Sequence, residues 1–290
     1  MKIIRLEDSD IEKLKEFEID LHLNESKIYF YDNKQLLKIF KSSIEEYITN
    51  KMFIINRLFY LKKYVDTDNF IMPNNIVRFH GFNSGYTMDF IDDSENLKII
   101  MDSSKISIED KVCLLKQMAY ILLETENNKV LKNINFHLSD IHEGNFIYDN
   151  KYKKVKCVDM DSSYLKGSLT SNSKYLTYNY KLWDYEKKYS LIETGIEKGN
   201  ITPNINTTIL SFYYMFLNLL TNKDSYNFSK IKTYNLINDM KNIGFSKYLT
   251  DALELIYTNK DNYIDEDIIN SITPELILKY KSQSQNRTIV

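Results

Sequence analysis

Residues Phe136 to Ser163 read FHLSDIHEGNFIYDNKYKKVKCVDMDSS, and three side chains in that stretch organise the rest of the chain. Asp140 comes first, Asn145 follows five residues later, and Asp159 closes a short apolar run. Between Asn145 and Asp159, FIYD, the polar turn NKYKK and VKCVD read as a β-hairpin. Paired strands hold backbone geometry more firmly than a free loop, so a carboxylate, a carboxamide and a second carboxylate should converge on one small volume. Hard oxygen donors on rigid elements suit Mg²⁺, which takes one or two carboxylates together with substrate phosphates. Asp140, ahead of the hairpin, is placed to orient or deprotonate a hydroxyl. Those are the parts that phosphoryl transfer requires.

Composition bounds the setting. A chain of 290 residues can bury a large core in one domain or two lobes. The net charge of -2 offers no basic field, so no nucleic-acid partner is expected. With 43% hydrophobic and 13% aromatic residues, wholesale disorder is excluded. Cys113 and Cys157 fall in apolar helix and strand patterns and read as small buried hydrophobes, with neither zinc spacing nor a disulfide framework. MKIIRLEDSD lacks a signal-peptide core, and the longest apolar run, residues 209–220, is too short to span a bilayer. These readings predict a soluble, cytoplasmic protein with no membrane partner.

Outward from the hairpin, the N-terminal third reads as strands, one helix, then strands. KIIRL suggests a strand and IEKLKEFEID a short helix; SKIYF and KQLLKIFK flank a tight turn at Asp32-Asn33-Lys34. Strand alternation puts Lys38 on the face of Leu36 and Phe40, so its ammonium needs an anionic partner. From Ser43 a helical period runs through residues 44–61, with Ser42 or Ser43 as the candidate N-cap. NNIVRFHGF and GYTMDFI follow as strands separated at Asn83-Ser84-Gly85, and DDSENL begins a polar segment. After residue 97 the pattern is helical: residues 108–128, then, past irregular residues 164–205 and Trp183, helices at 206–221, 229–242, 246–258 and 265–280. The fold class is α+β, with residues 1–95 as a strand-rich unit, 96–280 as a helical unit containing the hairpin, and 281–290 as a polar tail.

Four segments, in order, resemble the protein-kinase-like superfamily, whose two-lobed fold sets a small β-rich N-lobe on a larger helical C-lobe and closes over ATP. LLKIFK is similar to the strand that carries the phosphate-binding lysine, here Lys38. YTMDFIDDSENL is similar to the strand and hinge where backbone groups meet adenine, which implies Asp89, Phe90 and Ile91 for the nucleotide. LSDIHEGN resembles the catalytic loop, and VDMD stands in the place of the metal-binding aspartate. Asp140-Ile141-His142-Glu143-Gly144-Asn145 is closest to the aminoglycoside- and choline-kinase-like branch, which writes D-x-H-x-x-N. The resemblance implies Mg²⁺ and ATP as cofactors, Lys38 on the α- and β-phosphates, Asp140 at the acceptor hydroxyl, and Asn145 and Asp159 on the metal. Asp161 assists the metal or caps the next turn, and His142 packs within the loop.

The departures are specific. No glycine precedes Gly81, so the phosphate-covering loop, about residues 22–28, lacks its glycines. Leu138 and Ser139 stand where a histidine and an arginine usually precede the catalytic aspartate, and Thr208 stands where protein kinases keep a buried aspartate. Glu45 and Glu46 lie early in the helix expected to supply an acid for Lys38, and Lys51 aligns nearest that acid. If Glu45 or Glu46 reaches Lys38, Lys38→Met costs activity and stability; if neither does, ATP itself is the missing anion and Lys38→Met is neutral or slightly stabilising without nucleotide, and the position of Lys51 favours the second case. Three functions remain open: an atypical protein Ser/Thr kinase, a small-molecule kinase of the aminoglycoside type (favoured also by an acidic stretch at 261–267), and a pseudokinase binding module.

Overall fold

The computed structural model describes residues 2–17, 26–41, 45–65, 68–138, 140–166, 168, 205–222, 230–255 and 263–287. A mixed sheet lies in the N-terminal part and helices dominate the C-terminal part, an α+β architecture. The strands are β1 (Ile3–Leu6), β2 (Ser26–Phe30), β3 (Gln35–Phe40), β4 (Pro73–Phe79) and β5 (Phe82–Asp89), arranged β1-β4-β5-β3-β2. The β2–β3 hairpin forms as its alternation predicts, with Ile28 opposite Lys38 and Phe30 opposite Leu36. Asp32 tightens the turn by accepting the Lys34 N–H at 2.7 Å. Opposed residues share a face, so the ladder places Ile28, Lys38 and Tyr86 of β5 in one row.

Both faces of that sheet are covered, and every residue from Leu36 to Phe40 is buried. Leu36, Phe40, Tyr86 and Met88 face helix α2 (Glu45–Leu61) and meet its Ile54, Ile55 and Leu58. Tyr29, Leu37, Ile39 and Val77 face the other way, against Ile11 and Leu14. Each fully buried Leu or Ile contributes about 1.5–3 kcal/mol, and this apolar frame helps to offset the burial of Lys38 within the sheet.

Two local expectations change here. The helix over residues 11–20 is shorter: α1 spans Asp8–Ile11, and residues 15–17 run extended beside β2, with Phe17 N–H donating to Ile28 O at 2.8 Å. The turn before β5 falls at His80-Gly81, not at Asn83-Ser84-Gly85; φ is 51° and 80° there, the left-handed pair that a two-residue hairpin demands. Gly85 sits within β5 instead, where a Cβ would run into the Lys38 carbonyl oxygen. Close backbone approach, and not a turn, therefore requires that glycine.

The second sheet is β6 (Ser94–Asn96), β7 (Phe146–Asp149) and β8 (Lys154–Cys157), so the hairpin exists and part of the polar DDSENL segment extends it by a strand. Helices α3 (Leu97–Asp102), α4 (Ile108–Asn127) and α5 (Lys129–Asn133) precede the hairpin. The Ser107 hydroxyl caps α4 by accepting the Asp110 N–H at 3.0 Å, and Glu109 and Asp110 complement its N-terminal dipole. Helices α6 (Ile205–Thr221), α7 (Lys230–Ile243) and α8 (Lys247–Leu255) match their predicted positions. The helix expected over 265–280 is two, α9 (Glu266–Ser271) and α10 (Pro274–Arg287), because the residues before Pro274 are pushed out of helical conformation. Asp265 caps α9, which accounts for its acidic start, and α10 continues into the stretch expected to be a tail. One hydrophobic cluster runs from Ile28 through α4 and α6 to Ile277. Among the described residues, no helix is long and apolar enough to cross a membrane. Trp183, Ser42, Ser43 and residues 22–25 of the stretch expected to cover phosphate lie outside the described residues.

Gly85→Ala should lower stability by about 1–3 kcal/mol, the scale of overpacking in a closed site, read as a lower denaturation midpoint at unchanged slope. A midpoint equal to that of the parent would mean that β5 has room beside Lys38.

Candidate functional site

The hairpin brings its two ends together. Phe146 pairs with Cys157 and Asp149 with Lys154, and Val158 N–H donates to Asn145 O at 2.9 Å. Asn145 and the chain leading to Asp159 thus lie side by side at the open end. At the closed end Asp149 accepts the N–H groups of Lys151 and Tyr152 at 3.1 Å. Cys157 exchanges backbone hydrogen bonds with Asn69 (2.8 Å) and Ile71 (2.9 Å), and Gln117 of α4 accepts the Val155 N–H at 2.9 Å. The hairpin is therefore fixed on both edges.

Asp140 and Asn145 meet as the sequence predicts. The Asn145 carboxamide donates to Asp140 O at 2.8 Å and to its carboxylate at 3.3 Å. His142 Nδ1 accepts the Gly144 N–H at 3.1 Å, so the proton of the neutral ring sits on Nε2, which lies 3.8 Å from the Asp140 carboxylate. His142 thus packs within its loop, as expected. Two supports from outside hold the loop: Asn96 donates to Gly144 O at 2.9 Å, and the fully buried Thr208 of α6 donates to Leu138 O at 3.2 Å. Thr208 therefore bonds the loop backbone from the position where an aspartate was expected. Burial raises the Cys157 thiol pKa, and the nearby charges of Asp159 and Asp140 raise it further.

Lys38 has anions, which overturns the expectation that ATP alone could supply one. Its ammonium donates to Asp159 and to Asp161 Oδ2, the latter at 2.6 Å. Lys51 of α2 donates to Asp161 Oδ1 and to Ser162 Oγ, each at 2.8 Å, and the Tyr86 hydroxyl donates to Asp161 Oδ2 at 2.9 Å. The side chains of Glu45 and Glu46 lie outside those described. Asp159 adopts the left-handed conformation, φ 57°, at the exit of β8, and the chain then enters a short 3-10 turn over Met160–Ser162. That bend lets two carboxylates, two residues apart, reach one ammonium. Asp161 is neither a cap nor a peripheral group, because its side chain is 1% exposed and joins β3, β5, α2 and the turn.

The electrostatics follow from burial opposed by charge. Burial alone would raise the Asp161 pKa, but Lys38 and Lys51 reverse it and hold the carboxyl well below the usual range. Burial and the negative charge of Asp161 push Asp159 up, partly offset by the two lysines. Burial opposes the charge of Lys38, but Asp159 and Asp161 outweigh it and raise the ammonium pKa. Among the described residues, two cations, Lys38 and Lys51, thus face two carboxylates, Asp159 and Asp161.

The three residues expected at a nucleotide base lie where β5 gives way to β6. Asp89 accepts from Asn74 at 2.6 Å, Phe90 N–H donates to Lys34 O at 2.8 Å, and Ile91 O accepts from the Ser94 hydroxyl at 2.8 Å. The Phe90 ring packs edge-on against Phe17 and Phe30 at centroid distances of 5.9 and 5.3 Å. A cleft of about 440 Å³ opens beside Phe30 and Phe90 near Lys13 and Lys15, and none of Lys38, Asp140, Asn145 or Asp159 lines it.

Tyr86 and Ser162 were not singled out from the sequence, and Lys51 was noted only as the residue nearest the expected acid, not as the partner of a carboxylate. A signal for Lys51 existed, because it shares an i, i+3, i+7 stripe with Ile48 and Ile55 and so faces the core. Tyr86 could be found only from the register that sets it opposite Lys38. No protein-family model matches the chain, and no curated protein matches it either.

Lys38→Met should lower the stability of the nucleotide-free protein by about 3–5 kcal/mol, because it leaves buried carboxylates short of a cation. Urea unfolding checks this; a variant as stable as the parent would restore the view that Lys38 has no anion at rest.

Proposed function

We propose that this chain is an ATP-dependent phosphotransferase with a two-lobed protein-kinase-like fold, in which residues 1–95 form the smaller lobe and 96–280 the larger. Its acceptor is a Ser or Thr hydroxyl of a protein, and the reaction takes place in the cytoplasm. The observation that carries this reading is the convergence of Lys38, from a strand of the N-terminal sheet, on Asp159, at the exit of a hairpin more than a hundred residues later. A scaffold has no need to bury that charge pair beside an Asp140–Asn145 hydrogen bond.

The donor set suits Mg²⁺: one carboxylate, Asp159, and one carboxamide, Asn145, are hard oxygen donors, too few for a closed cage and enough when phosphates complete the shell. Asp159 is 27% exposed, so its carboxylate is accessible to a bound group. When bound, the metal neutralises charge on the phosphates during transfer. Lys38, bonded to Asp159, would be the residue to meet the phosphates of a bound nucleotide and to supply positive charge there. Asp140 would accept a hydrogen bond from the acceptor hydroxyl, orient it in line and take its proton as the new O–P bond forms and the bond from the γ-phosphorus to the β,γ-bridging oxygen breaks, with ADP as the leaving group. Asn145, which donates to Asp140, holds that carboxylate in place.

A second reading, phosphorylation of a small aminated alcohol, is favoured by the approach of His142 to Asp140 within the D-x-H-x-x-N loop. Transfer of labelled γ-phosphate from ATP to a generic protein substrate and to a panel of small aminated alcohols separates the two, and no transfer to either overturns the enzyme reading in favour of a binding module. Asp140→Asn should retain Mg–ATP binding and lower turnover by about 10²–10⁴-fold; turnover at the parent rate would remove Asp140 from this role. Stabilisation by ATP should be larger with Mg²⁺ than with EDTA in a thermal-shift titration, and equal shifts would count against a metal-bridged site.

A further inference from the structure

The lysine that meets phosphate must be held by something that does not itself leave for the metal. Asp159 and Asp161 both bond Lys38, but their exposures differ sharply: 27% for the first and 1% for the second. Asp159 can turn to a ligand. Asp161 is sealed, with Lys38 and Tyr86 on one oxygen and Lys51 on the other. Helix α2, where the family resemblance led us to expect an acid for Lys38, contributes a cation at Lys51 and touches the same carboxylate from the far side.

We propose, resting on the phosphotransferase reading, that Asp161 is the positioning residue of Lys38 and that Lys51 fills the acid's place on α2 with the opposite charge. The bridge Lys38–Asp161–Lys51 then docks α2 onto the turn after β8 and keeps the Lys38 ammonium aimed once Asp159 engages the metal. Ser162 supplies the second acceptor for Lys51, so the ammonium on α2 bonds two successive residues of that turn. The site is assembled through a carboxylate two residues beyond the metal-binding aspartate, and the helix acts as the clamp.

Charge counting separates positioning from packing. Asp161→Asn leaves two buried cations against one anion, and Lys51→Met leaves one cation against two anions. Each should melt roughly 10 °C below the parent, the scale of breaking one buried pair. The double variant Lys51→Met/Asp161→Asn leaves Lys38 and Asp159 balanced and should regain most of the melting temperature. It should not regain turnover: kcat, measured well below melting, should stay about 10²-fold down because Lys38 has lost its anchor. The apparent Mg²⁺ requirement of Asp161→Asn should match the parent, whereas that of Asp159→Asn should rise.

Recovery of kcat together with stability in the double variant would reduce Asp161 to a structural role. A raised Mg²⁺ requirement in Asp161→Asn would make it a metal ligand, and singles as stable as the parent would remove the bridge. Any of these three outcomes overturns the proposal. Failure of the parent protein to bind Mg–ATP or transfer phosphate would instead overturn the phosphotransferase reading, while the melting pattern would still report on the bridge.

Discussion

A carboxylate with 1% of its side chain exposed needs strong donors, and Asp161 has three. Removing an ion from water costs several kcal/mol, and only close opposite charges with well-placed hydrogen bonds recover it. Asp161 obtains those groups from β3, β5 and α2, three elements that share no local sequence. Their relative placement is therefore tied to the turn after β8. The apolar row with Ile28, Leu36 and Phe40 beside Lys38 helps to bury Lys38 and Asp161, while Asp159 stays partly exposed. A dry environment strengthens the bridge and makes any unbalanced member expensive.

The hairpin β7–β8 is the other fixed point. Its β7 edge is paired with β6 and its β8 edge is bonded to residues 69–71 and to Gln117, so its open end holds Asn145 and Asp159 side by side. The loop ahead of it takes its shape from the Asn145–Asp140 contact and from the supports of Asn96 and Thr208. A threonine hydroxyl meets a backbone carbonyl there without adding a charge, which fits a fully buried position. Asp159 in left-handed conformation is a modest strain, tolerated by an aspartate better than by a branched residue. The bend it makes is what allows Asp159 and Asp161 to share Lys38.

Helix and strand identities were legible because periodicity records which face of an element is buried. The hairpins at Asp32-Asn33-Lys34 and at residues 150–153, the long α4 and the apolar α6 all follow that signal. Boundaries set by competing local chemistry were harder. The left-handed pair His80-Gly81 captured the turn that Asn83-Ser84-Gly85 also advertised, because Gly85 was required for close packing against β3. Pro274 divided a helix whose hydrophobic pattern ran on through it.

At the site, the sequence by itself determined which residues come together: Asp140 and Asn145 are spaced to meet within one loop, the hairpin returns Asp159 beside them, and strand parity turns Lys38 inward. These relations are local, or depend on a period of two, and need no knowledge of distant contacts. The partner of Lys38 was different. Nothing in a linear pattern states that a helix residue, Lys51, and a strand residue, Tyr86, converge on a carboxylate 75 or more positions away. Only the tertiary structure decided that, because a buried charge is neutralised by whichever opposite charge packing brings within about 3 Å, and packing is a property of the whole chain.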